Sequence, residues 1–219
     1  MRTLNINIFM AIHFPKHKIT FIHIPKTAGS SFEQWIRDNN ITHDRQQKHC
    51  TYDDAKLIWK KLGYTFCFVR NPYARMVSMY HFIGQRAVER IEMRKLGQRT
   101  KKSTNQQDDL IIAEYYNKGF ENWLEEHSNN IHNPFDLGIW MYERKTPQTH
   151  WLGENTTWFK AEELDLKFRN IQDMFNCSIP LPHTNRTNHK HYREYYNKNT
   201  RQIIEKIFAD DLNKFNYEF

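Results

Sequence analysis

Two short apolar runs, Ile19–Ile24 (ITFIHI) and Tyr64–Val69 (YTFCFV), are rich in β-branched and aromatic residues, and turn chemistry follows each at once. This is the pattern of strands buried on both faces of an α/β sheet. Between them, "SSFEQWIRDNN" predicts a helix with Phe32, Trp35 and Ile36 facing inward, and "TYDDAKLIWKKLG" predicts a second helix closed by Gly63. The order strand, helix, helix, strand suits a parallel sheet with crossovers. After Pro72, "YARMVSMYHFIGQ" has helical spacing at Tyr73, Met76, Val77, Tyr80 and Ile83. Residues 85–108 are polar and basic with weak periodicity, which predicts a mobile basic insertion. Helical pattern resumes in "LIIAEYYNKGFENWLEEH". "TTWFKA" predicts a third buried strand, "EELDLKFRNIQDMF" a helix after it, and residues 189–208 further helix before the closing "DDLNKFNYEF". With no internal repeat and no linker, the expectation is one α/β domain over residues 1–219, with a central parallel sheet flanked by helices.

Composition adds direction. A hydrophobic share of 39% and an aromatic share of 15% exclude a disordered chain. The net charge of +7 favours phosphate, sulfate, nucleic acid or an acidic polymer as partner, without choosing among them. Cys50, Cys67 and Cys177 are odd in number and far apart, so neither a disulfide framework nor a zinc motif fits them, and a reducing compartment is the simpler reading. No apolar run approaches the roughly 20 residues that span a bilayer, and the opening carries no secretory signal, so the expectation is a cytoplasmic chain without a membrane anchor. The sequons at Asn155, Asn176 and Asn185 carry no weight in that setting.

The chemistry concentrates at the two predicted strand ends. "PKTAGSS", Pro25 to Ser31, joins the first strand to the first helix. Such a join presents unpaired backbone N–H groups and the positive end of a helix dipole, which together favour an anion. Gly29 permits close backbone approach or a positive φ, Ser30 and Ser31 are placed to cap the helix and donate hydroxyls, and Lys26 adds a full charge. The segment is not the nucleotide-triphosphatase loop, because Lys26 precedes its only glycine. A plain helix cap with a surface lysine is the bland alternative. The second strand end, "FVRNPYARMVSMY", repeats the plan with Arg70, a cap at Asn71, Pro72 at the first helical position, and Ser78 eight residues after Arg70. A guanidinium fork suits a phosphate, although Asn71-Pro72 needs no ligand to justify it. Two such strand ends point to a ligand with two separated phosphate groups.

This pair of motifs resembles that of the sulfotransferases that use 3′-phosphoadenosine 5′-phosphosulfate (PAPS), in particular the carbohydrate-type branch, sulfotransferase family 2. In that branch a "PKTAGSS"-like loop binds the 5′-phosphosulfate, and an "R-N-P" segment with a serine eight residues after the arginine binds the 3′-phosphate. The resemblance extends from Lys18 through "TTWFKAEEL" and "IPLPHTNRT" to "DDLNKFNYEF". It implies a P-loop-like sulfotransferase architecture and metal-independent transfer of a sulfuryl group from PAPS to a hydroxyl acceptor, most simply on a saccharide. Lys26, Thr27, Ala28, Gly29, Ser30 and Ser31 would then hold the 5′ end and Arg70 and Ser78 the 3′-phosphate, with Asn185, Arg186 and Thr187 as further nucleotide contacts. Lys26 would also neutralise charge on the leaving oxygen in an in-line displacement. An attacking hydroxyl must lose its proton, and an imidazole is the natural base near neutral pH. His49, between the motifs and just before a helix, matches where related carbohydrate sulfotransferases place their catalytic histidine. His23 is the second candidate, or else a hydrogen-bonded core histidine.

Weaker signals take bland readings. His183, His189 and His191 match no zinc spacing. The cations Arg86, Arg90, Arg94, Lys95, Arg99, Lys101 and Lys102 read as solvated surface rather than a guide for an acidic polysaccharide. Gln148 and Trp151 are candidates for an acceptor pocket or for core. Two rival functions stand beside the first. A nucleotide kinase would need its lysine elsewhere and a Mg²⁺-holding carboxylate after a strand. A non-catalytic module for nucleic acid or an anionic polymer would need aromatics interleaved on a basic face. The missing anchor separates the chain from Golgi members of the family and points to a bacterial or viral cytoplasmic protein.

Overall fold

The computed structural model describes residues 11–46, 50–99, 105–129, 146–182 and 189–219. Its strands are β1 (Ala11–Phe14), β2 (Ile19–Ile22), β3 (Asp44–Gln46), β4 (Tyr64–Val69) and β5 (Thr156–Lys160), in the sheet order β3-β1-β2-β4-β5. The helices are α1 (Gly29–Asp38), α2 (Tyr52–Trp59), α3 (Pro72–Lys95), α4 (Gln106–Asn117), α5 (Phe120–Asn129), α6 (Leu164–Met174), α7 (Lys198–Ile207) and α8 (Ala209–Phe215).

The expected parallel core is present. β2 pairs with β4 in parallel, Ile22 opposite Cys67, and β4 pairs with β5 in parallel, Val69 opposite Lys160. The sheet as a whole is mixed, because two further strands join this parallel centre on one side. β1 runs antiparallel to both β2 and β3. The four residues Pro15 to Lys18 are too few for a crossover, so they close a hairpin in which His17 N donates to Phe14 O at 3.1 Å. β5, expected to be buried, is half-buried and exposes Trp158. Gly63 does not close α2, which ends at Trp59 with Lys60 at φ 56°. A Cβ at Gly63 would lie 1.9 Å from Lys18 O, so the glycine serves the close crossing through which Tyr64 N reaches that carbonyl at 2.8 Å.

Alternation along the strands builds two apolar layers. Phe21, Phe66 and Phe68 face Phe32 and Trp35 of α1 and Phe168 of α6, while Ile22, Cys67 and Val69 face Ala55 of α2, Trp151 and Phe215. Phe21 and Phe32 sit 4.6 Å apart edge to face, and each such buried ring contributes roughly 2–3 kcal/mol through removal from water. A third cluster packs Tyr73, Met76, Val77 and Tyr80 of α3 against Trp123 of α5 and Ile204 of α7.

The expected basic insertion at 85–108 is largely helix. Residues up to Lys95 continue α3, and Gln106 opens α4; residues 100–104 lie outside the described residues. Apolar periodicity fades there because charge takes over the packing. Asp109 of α4 is fully buried and accepts from Arg90 Nε at 2.9 Å and Arg94 Nη1 at 2.6 Å.

Candidate active site

Because β2 and β4 are adjacent and parallel, the chain leaves both at the same end of the sheet. Beyond β2, Lys26 and Ala28 both adopt left-handed backbone, φ 68° and 73°. For residues with a Cβ this costs about 1 kcal/mol or more each. Thr27 between them is fully buried and donates to Ile24 O at 2.9 Å, which anchors the turn to the strand. The left-handed residues therefore flank Thr27, and Gly29 is not one of them.

Gly29 serves close approach instead. A Cβ there would lie 2.1 Å from both Cδ2 and Nε2 of His23. His23 is buried, and its Nδ1 lies 2.9 Å from Glu33 Oε1. Arg37 and Arg45 approach the second oxygen of Glu33 at 3.7 and 4.0 Å. His23 thus packs between the turn and α1. Ser30 and Ser31 do not cap α1: the cap position is Ala28, no side chain caps the helix, and its first turn contains no acid. Ser30 is exposed and Ser31 buried. The Lys26 ammonium lies 3.8 Å from the Phe82 ring centroid, and Arg86 approaches the same ring at 4.2 Å, both favourable cation–π contacts.

Beyond β4, Arg70 donates through Nη1 to Lys26 O at 3.4 Å, so the two strand ends touch. Burial lowers its pKa, and Glu162 and Tyr217 oppose that shift. The residue still meets solvent in part. Here the helix is capped as expected, with Asn71 Oδ1 accepting from Tyr73 N at 3.0 Å and Pro72 at the first position. Ser78 lies on the second turn of α3 and is buried.

Lys26, Thr27, Ala28, Gly29, Ser30, Ser31, Arg70 and Ser78 therefore belong to two adjoining strand ends and the helices that leave them. His49, Asn185, Arg186 and Thr187 lie outside the described residues. Gln148 and Trp151 do not line an acceptor pocket. Gln148 is fully buried and spends its amide on Arg70 and Asp211, and Trp151 is buried against Ile24 and Val69. Glu33, Phe82, Glu162 and Asp211 were not singled out in the sequence, and Arg75 reads there only as a solvated cation. Helical spacing puts Arg75 opposite the apolar positions Tyr73, Met76, Val77 and Tyr80, on a side expected to meet solvent, yet it is fully buried.

The arrangement fits an anion with two charged ends. An uncapped helix start without a competing acid lies beside Lys26, and Arg70 adjoins it with some surface open to solvent. Among the described residues no group of three or more His, Cys, Asp or Glu could hold a metal ion, and no helix is long and apolar enough to cross a membrane. Compared with known proteins, the chain matches the model of the sulfotransferase family over residues 10–218. No curated protein and no solved structure matches it.

Proposed function

Because this chain belongs to the sulfotransferase family and is a sulfuryl-transferring enzyme, we propose that its donor is PAPS and its acceptor a saccharide hydroxyl. The observation that carries this reading is the contact between the strand ends: Arg70 reaches Lys26 O at 3.4 Å beside a helix start that no side chain caps. The joined strand ends would thus offer backbone amides and a lysine to one anionic end of a nucleotide and a guanidinium to the other.

PAPS supplies an activated sulfuryl group together with a phosphate leaving group. The first-turn amides of α1 orient the 5′ end, and the Lys26 ammonium stabilises charge that builds on the departing oxygen. Arg70 and Ser78 bind the 3′-phosphate, one by a planar fork and one by a hydroxyl. Asn185 and Thr187 add contacts to the nucleotide. His49 takes the proton from the attacking hydroxyl. The described cysteines are unpaired, in keeping with a reducing cytoplasm, bacterial or viral.

The test is transfer of labelled sulfate from PAPS to a panel of oligosaccharides in the presence of a chelator. Wild type is expected to label at least one acceptor, and His49→Ala to lose turnover while still binding the nucleotide. Transfer only to phenols or amines would contradict the saccharide assignment, and full activity in His49→Ala would remove the base.

A further inference from the structure

The β4–β5 ladder ends at Val69 opposite Lys160, so Arg70 is the first residue of its strand beyond sheet pairing. Its backbone is nevertheless fully engaged. Gln148 Oε1 accepts from Arg70 N at 2.8 Å, and Gln148 Nε2 donates to Arg70 O at 2.9 Å. One side-chain amide thus does for Arg70 what a neighbouring strand would do. Gln148 is itself held by Asp211 of α8, whose Oδ2 accepts from Gln148 N at 2.8 Å and from Nε2 at 3.0 Å, while Oδ1 accepts from Thr149 N at 2.9 Å. Gln148 and Asp211 are both fully buried.

The same turn is tied to the other strand end. Arg75, fully buried on α3, donates through Nε to Pro25 O at 3.1 Å, next to Lys26, and through Nη1 to Thr146 O at 3.1 Å. Burial pushes its pKa down to about 10, with Asp211 opposing the shift, so it stays charged at neutral pH. Its Nη2 is buried without a partner. A buried arginine, carboxylate and amide are a poor route to stability alone, since apolar residues of similar volume are often neutral or stabilising in their place. What this set supplies is a fixed path from Pro25 through Arg75 to Thr146, Gln148 and Arg70.

We propose that Gln148, Asp211 and Arg75 are positioning residues that set the separation between the Lys26 turn and Arg70, and thereby make the site select a nucleotide with two phosphates over one with a single phosphate. The proposal rests on the two-phosphate reading given above. None of the three touches the ligand; they act through Pro25 and Arg70.

The test titrates wild type, Gln148→Leu, Gln148→Glu and Arg75→Lys with adenosine 3′,5′-bisphosphate and with adenosine 5′-monophosphate, and compares the ratio of the two Kd values. Gln148→Leu is expected to lower the preference for the bisphosphate about tenfold, because Arg70 loses both backbone partners. Gln148→Glu is expected to lower it at pH 8 and to recover toward wild type at pH 6. A buried carboxyl beside Asp211 takes up a proton there and regains a donor, and wild type over the same range corrects for titration of the phosphate. Should Gln148→Leu fail to fold, Gln148→Glu and Arg75→Lys decide the matter. Folded variants that keep the wild-type ratio, or that weaken both nucleotides equally, overturn the proposal. A wild type that binds neither nucleotide overturns the two-phosphate reading and this inference with it.

Discussion

The two strand ends meet at the same end of the sheet but are built by opposite means. Beyond β2 the turn is shaped by backbone: two left-handed residues, a glycine pressed on His23, and a helix whose first turn no side chain caps. Beyond β4 the backbone is fully satisfied by Asn71, Gln148 and Glu162, whose Oε1 accepts from Asn71 N at 2.8 Å. The first side is thus defined by its backbone around Lys26, and the second by the side chain of Arg70, which still meets solvent in part. A site for one donor with two charged ends can thus divide its recognition between dipoles and ionic side chains, and the two halves should fail differently.

Substitutions can break or sharpen that contrast. The largest effect is expected from Lys26→Ala, which should lower kcat by about 10²–10³ beyond any loss of nucleotide affinity; single-turnover kinetics at saturating donor would measure it. Gly29→Ala should cost about 1–3 kcal/mol of stability, since the new Cβ meets the His23 ring at 2.1 Å. Denaturant unfolding should show part of that loss restored in the double variant Gly29→Ala/His23→Ala, whereas the second strand end contains no such steric lock. Asn71→Ala should cost about 1 kcal/mol through loss of the α3 cap, an effect with no counterpart at the side-chain-free start of α1.

The smallest effect is a pH dependence confined to the second side. His81 lies three residues after Ser78 on α3, between the hydroxyls of Tyr116 at 3.1 Å and Tyr195 at 2.9 Å and flat against His189. Burial, with His189 adding to it, lowers its pKa from 6.5 to about 4. The unfolded chain therefore binds a proton at this site first, so its contribution is full above pH 6.5, falls as pH drops toward 4, and is flat below. Denaturation midpoints from pH 7.5 to 4.5 should decline less steeply in His81→Phe than in wild type.

Much of this was legible in the sequence because it is local. A strand that ends in a cation, a cap and a proline announces itself, and Arg70, Asn71, Pro72 and Ser78 stand where that grammar puts them. The first turn was legible in place but not in detail: left-handed backbone fell on Lys26 and Ala28, against residue preference, and Gly29 was needed for His23 rather than for φ. β1 and β3 escaped because one is four residues long with a histidine inside it and the other is three polar residues. The end of α3 escaped because Arg90 and Arg94 pack through Asp109 rather than through apolar spacing. Gln148 and Asp211 reach Arg70 from distant parts of the chain, and no local pattern encodes such a meeting.

The most direct test of the central claim is calorimetric titration of adenosine 3′,5′-bisphosphate, without added metal, into wild type, Lys26→Ala and Arg70→Ala. The account predicts a wild-type Kd on the order of micromolar or tighter, with binding lost in both folded variants. A folded wild type that binds no bisphosphate, or that binds it equally well without Arg70, would contradict a site built to hold two phosphates.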